Sequence, residues 1–175
     1  MRTLWIALRA LVYGTGFILL WGWLALSARV YDTQLGVALP AWLVVPGMVV
    51  CMIGLLLALT CVMYFVGSGR GTPAPFDPPA QFVAVGPYTF VRNPMYLGGV
   101  VALTGAAFWL KSVAVLVLSA GFIGLFHLFV VFYEEPALGV RFGQSYLDYK
   151  RMVNRWLPKR PTRKHELEPS GNAAA

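Results

Sequence analysis

Two adjacent carboxylates, Glu134 and Glu135, follow directly on a long apolar run. Acidic side chains at the edge of such a run are costly enough to require a cationic partner or a task. Earlier in the chain stand Gly86-Pro87-Tyr88 and then Arg92-Asn93-Pro94-Met95-Tyr96. Asn93-Pro94 reads as an N-cap followed by the first residue of a helix. The free amides and positive dipole end of that helix suit an anionic group, so capping and binding draw on the same residues. Each feature also has an ordinary reading. The glutamates could sit at a membrane interface, paired with Arg92, Arg141 or Arg151. Tyr88, Tyr96, Tyr146 and Tyr149 could be interfacial aromatics, and Arg151 and Arg155 could serve topology alone. The residue types by themselves leave these alternatives open.

The elements that must position these groups are membrane helices. Of 175 residues, 58% are hydrophobic and 12% charged, more apolar than one soluble core of this size requires. The expected fold is an all-α integral membrane protein with about four spans, at 5–28, 40–66, 94–110 and 112–133, each near the roughly 20 apolar residues that cross a bilayer. The first run is longer than the roughly 7 to 15 residues of a cleaved signal and reads as an uncleaved anchor. Only Lys111 and Ser112 separate the last two spans, which predicts a tight hairpin whose first arm is short or tilted. Cys51 and Cys61 lie in one apolar run, form no secreted disulfide framework, and read as packing residues. No metal site is expected.

With the N-terminus cytoplasmic, Arg2, Arg70, Arg92 and the basic residues from Arg141 to Lys164 fall inside, leaving Arg29 and Lys111 outside, as the positive-inside rule asks. Arg9, one to two turns into the first span, could snorkel to the headgroups. The formal charge of +7 then expresses topology and attraction to anionic lipid rather than nucleic-acid binding. Two non-spanning regions share the cytoplasmic face. Residues 67–92 are proline-rich yet carry Phe76, Phe82, Val83, Val85, Tyr88, Phe90 and Val91 as apolar anchors, which favours a structured loop. Residues 134–156 place Phe142, Tyr146, Tyr149, Val153 and Trp156 at spacings of three and four, which predicts one amphipathic helix on the membrane. The tail beyond Pro158 is polar. The expected organisation is a scaffold pair over 1–66, a core over 67–158 and a tail over 159–175.

The run from Gly86 through Gly98, the glutamate pair, and Phe142-Gly143 followed by Tyr146, Tyr149, Val153 and Arg155 resemble the isoprenylcysteine carboxyl methyltransferase family, whose wider group includes phospholipid N-methyltransferases. The resemblance covers roughly 67–158. It implies a small helical membrane enzyme with S-adenosylmethionine bound on the cytosolic side by the loop, the third span and the C-terminal segment. It carries cofactor contact to Tyr88, Asn93, Pro94, Met95 and Tyr96, and, largely through backbone, to Ala80, Gln81, Phe82 and Val83. Glu134 falls where the family places an acidic residue of the substrate site, and Tyr146, Tyr149, Arg151 and Arg155 are further substrate candidates. The catalytic candidates are Glu134, Glu135 and Arg92.

Arg92 or Asn93 suits the cofactor carboxylate, and a tyrosine face suits its sulfonium, a contact worth about 0.5 to 2 kcal/mol. Methyl transfer is an in-line displacement that rewards alignment and exclusion of water. A carboxylate acceptor needs no base; an amine must lose a proton, which a buried glutamate with raised pKa can take. The eukaryotic prenylcysteine enzymes carry an arginine about one turn before the acidic cluster. Val130 stands there, with His127 within a turn and Arg151 or Arg155 as candidates to reach in. The acceptor is therefore expected to be amphiphilic, arriving from the bilayer, without being specified as prenylcysteine. The competing classes are a nicotinamide-dependent reductase of the sterol-reductase type and a non-enzymatic transport or assembly protein. A bacterial inner membrane is the expected location, and oligomeric state is not set by the sequence.

Overall fold

The computed structural model describes residues 2–69, 71–72 and 81–158. Arg70 and residues 73–80 of the proline-rich loop, Phe76 and Ala80 among them, and the tail 159–175 lie outside the described residues. Among the described residues every long element is a helix: α1 (Arg2–Ala28), α2 (Asp32–Leu35), α3 (Val44–Tyr64), α4 (Pro94–Trp109), α5 (Val113–Phe129), α6 (Glu135–Phe142) and α7 (Gln144–Met152). Three continuous helical stretches, Leu4–Leu35, Ala41–Gly69 and Val113–Phe142, are long and apolar enough to cross a membrane, and Pro94–Trp109 is a shorter apolar helix. At about 1.5 Å per residue α4 reaches only about 24 Å, so the expected short arm is real. The hairpin turn is equally tight: Lys111 adopts a left-handed φ of 54°, and the Ser112 side chain accepts a bond from Val115 N to cap α5.

Glycines set how closely α3 and α4 approach. A Cβ on Gly54 would collide with the Ala102 backbone and the Gly98 carbonyl, and one on Gly105 with the Cys51 backbone and the Gly47 carbonyl. Small residues facing each other let two backbones approach within van der Waals contact, the main attraction open to helices in lipid. Cys51 and Cys61 are free thiols, Cys61 fully buried, in keeping with packing roles. Helix α1 leans on α5 through aromatic rings, Trp21 meeting Phe122 edge-on at 4.3 Å. At the far end of the same pair, Asp32 Oδ1 accepts a 2.9 Å bond from Ala114 N and so caps α5 a second time.

The fourth span ends differently from expectation. The apolar helix runs on past Glu134, through a π-helical turn at Val130–Glu134, into α6. Pro136 explains the turn, because its ring lacks an N–H and crowds the carbonyl four residues back, and a wider turn relieves both. The single amphipathic helix expected over 134–156 is therefore two pieces. Gly143, at φ 55°, breaks the chain between α6 and α7, and helix ends at Met152, so Trp156 lies beyond it.

The loop is anchored by fewer residues than expected. Val83, Tyr88 and Val91 are buried, whereas Val85 and Phe90 are exposed. Gly86 at φ 59° turns the chain against the Tyr64 ring, where no side chain would fit.

Candidate functional site

The loop, the start of α4, the π turn and α6–α7 enclose a cavity of about 350 Å³, within the range of small-molecule sites. It lies at the end of the bundle opposite the Lys111 turn. Three contacts fasten the C-terminal segment there. Arg92 N donates to the Asn154 carbonyl at 2.9 Å, Asn93 Nδ2 to the Arg155 carbonyl at 3.3 Å, and the Tyr149 hydroxyl to the Tyr88 carbonyl at 2.7 Å. Phe82 packs among the rings of Phe142, Tyr146 and Tyr149 at 5.0 to 5.8 Å, tying the loop to α6 and α7.

The adjacent glutamates have different surroundings. Glu135 is buried and meets Arg92 at 3.1 Å, Lys150 at 2.9 Å and Arg155 at 2.7 Å. Arg155 engages it through Nε and a second nitrogen, Nη2, at 3.1 Å. A carboxylate so surrounded holds four chain segments together and has no lone pair free for a substrate proton. Glu134 lines the cavity, takes a 2.8 Å bond from the Tyr96 hydroxyl, and has no cation within 4.0 Å among the described residues.

Arg92 faces the cavity with its side chain 9% exposed. Its Nε and Nη1 are buried without a partner among the described residues. Orphaned buried donors are costly, and a guanidinium that lines the cavity suits an anionic ligand group. The tyrosines stay neutral donors. Burial, with Glu135 adding to it, pushes Tyr146 up to about 12. Burial likewise raises Tyr149, and lifts Tyr88 well above the usual phenol range with the neighbouring Cys61 adding to it. The hydrogen bond to Glu135 raises Arg155.

Of the residues singled out in the sequence, Phe82, Val83, Tyr88, Arg92, Asn93, Tyr96, Glu134, Glu135, Tyr146 and Tyr149 meet around one cavity. Val130, Arg141 and Phe142 line it as well, whereas several others stand apart. Gln81 is exposed, its backbone N–H donating to the Gly69 carbonyl; Pro94 is buried in the helix start; Met95 packs against Cys61, Val83 and Tyr88. Arg151 is exposed and paired with Asp148, and Arg155 is held by Glu135. His127 accepts the Trp156 indole N–H at 3.1 Å.

Sequence reasoning missed Lys150 as a partner of Glu135, and it missed Phe129 and Tyr133, which line the cavity one turn apart. The spacing of Phe129 and Tyr133 ahead of Glu134 was a readable signal. Lys150 offered none, because its approach depends on the break at Gly143.

Membrane-length helices with a ligand-sized cavity at one end define an integral membrane protein with a candidate site at one end of its helices. The sequence model of the phospholipid methyltransferase family matches residues 42–145, more than half of the chain, and the chain belongs to that family. It is thus a membrane methyltransferase, and the match spans α3 to the start of α7, leaving α1 outside. No curated protein and no solved structure matches the chain.

Proposed function

We propose that this protein transfers the methyl group of S-adenosylmethionine to an amine on an amphiphilic, lipid-like acceptor. The observation that carries the reading is the division of labour between the glutamates: Glu135 is neutralised by Arg92, Lys150 and Arg155, while Glu134 faces the cavity with no ion pair among the described residues. When bound, S-adenosylmethionine supplies an electrophilic methyl on a sulfonium. The residues present fit it. The orphaned Arg92 donors and the α4 start at Asn93 suit its carboxylate. The rings of Phe82, Tyr88, Tyr146 and Tyr149 offer faces for its adenine and its cation.

An attacking nitrogen must be neutral when its lone pair is used, so its proton needs an acceptor within reach. Glu134 is the cavity carboxylate able to take it. Its negative charge draws an ammonium head in and would repel a carboxylate one. Of the cations weighed for a substrate carboxylate, none lines the cavity: His127 is bound to Trp156, Arg151 to Asp148, Arg155 to Glu135, and Val130 lines the wall itself, where the lining cations are Arg92 and Arg141.

The same reading puts the cavity end and both termini in the cytoplasm, at a bacterial inner membrane. Arg92, Arg141, Lys150, Arg151 and Arg155 gather at the cavity end, and Arg29 and Lys111 at the other.

Calorimetric titration of the purified protein with S-adenosylhomocysteine, with NADPH as a parallel ligand, tests the cofactor. Saturable binding of the first alone is expected. Binding of NADPH alone would favour a reductase, and no binding of either would remove the enzymatic reading.

A further inference from the structure

The Tyr96 phenol that donates to Glu134 is backed by an unbroken column of aromatic rings. Tyr96 lies on Phe126 at 4.7 Å and 34°, Phe126 on Phe122 at 4.1 Å, and Phe122 meets Trp21 at 4.3 Å. The column starts on α1, which the family match does not cover, passes through α5, and ends on a side chain of α4 that touches the cavity. Phe122 is 3% exposed, so the centre of the column cannot yield without repacking the core cluster it shares with Leu103, Ala107 and Val115.

We infer that this column is a positioning device for Glu134, with Phe126 and Trp21 acting through Tyr96. A tyrosine on a helix can swing its ring about the Cβ bonds, and a swing of the phenol would release the carboxylate oxygen it holds. Phe126 blocks that swing on one face, and Trp21, bearing on both Phe122 and Phe126, keeps Phe126 in place. With Oε2 occupied by Tyr96, the carboxylate is held in one orientation and its other oxygen is left for the cavity. Tyr96 thus orients the proton acceptor, and α1 enters the reaction through geometry. The inference rests on the reading of Glu134 as proton acceptor.

The test uses the full chain in detergent, with the infrared carboxylate stretch of Glu134 assigned by its loss in Glu134→Gln. Tyr96→Phe should displace that band. Phe126→Leu and Trp21→Leu should displace it in the same direction, and the conservative Trp21→Phe should restore it. With long-chain alkylamine as acceptor and S-adenosylmethionine as donor, kcat in Phe126→Leu should fall on the order of ten- to a hundred-fold, the cost of a misplaced group. Its affinity for S-adenosylhomocysteine should stay unchanged.

A Glu134 band in Phe126→Leu identical to that of the wild type overturns the inference, whatever the activity. A lowered thermal midpoint with an unmoved band would assign the column to stability alone and overturns it equally. If the bands move as expected but the wild type neither binds S-adenosylhomocysteine nor methylates, the proposed function falls and the positioning stands.

Discussion

Glu134 and Glu135 are neighbours in sequence, and the helix turns them about 100° apart, so one reaches the cavity and the other the cationic cluster. Opposite outcomes are expected on neutralising them. Glu134→Gln keeps the shape and the Tyr96 contact, so the protein should assemble and bind S-adenosylhomocysteine while methyl transfer falls by about a hundred-fold or more, the scale of a lost general base. Glu135→Gln leaves Arg92 and Arg155 facing a neutral amide, and breaking a buried pair costs on the order of 3–5 kcal/mol. Lys150, about half exposed, adds little to that figure. The measured signature should be a lower thermal midpoint together with weakened binding. Equal thermal midpoints for the two variants would contradict this assignment.

At the scale of elements, the α3–α4 pair carries the start of α4 and therefore Arg92, Asn93 and Tyr96. Its closeness depends on glycine at positions where any Cβ strikes backbone, which cannot rotate away as a side chain can. Gly54→Val should lower stability by about 1–3 kcal/mol or more, the usual range for overpacking. Gly121→Ala, at a position with open space, should change little. Thermal unfolding in detergent reads both, and a neutral Gly54→Val would mean the helices separate at no cost. The π turn before Pro136 belongs to the same scale. It sets the angle at which Glu134 leaves α5 and hands the chain to α6.

For the whole molecule, the α4–α5 turn and the cavity stand at opposite ends of the bundle, which makes the orientation testable with two labels. In a background lacking Cys51 and Cys61, a membrane-impermeant maleimide applied to intact cells should modify Thr33→Cys, near the Lys111 turn, and spare Ser145→Cys, beside the cavity, until the membrane is opened. The reverse pattern would place the site outside the cytoplasm and deprive the proposed reaction of cytosolic S-adenosylmethionine.

Much of this architecture could be read from the chain itself, because the bilayer penalises unpaired backbone so heavily that apolar length alone selects helices. Composition therefore determined the all-α membrane fold, the short arm ending at Lys111, and the helix start at Asn93-Pro94. The ordered motifs pointed to the methyltransferase group. Only the tertiary structure decided which glutamate is free, since that depends on Lys150 and Arg155 returning from beyond the break at Gly143. It also decided that Met95 and Arg151 stay off the cavity and that Trp21 stands behind Tyr96. Those are contacts between residues far apart in sequence, and no local propensity or periodicity encodes them; they follow from the close packing of glycine-lined helices and of tilted and edge-on rings.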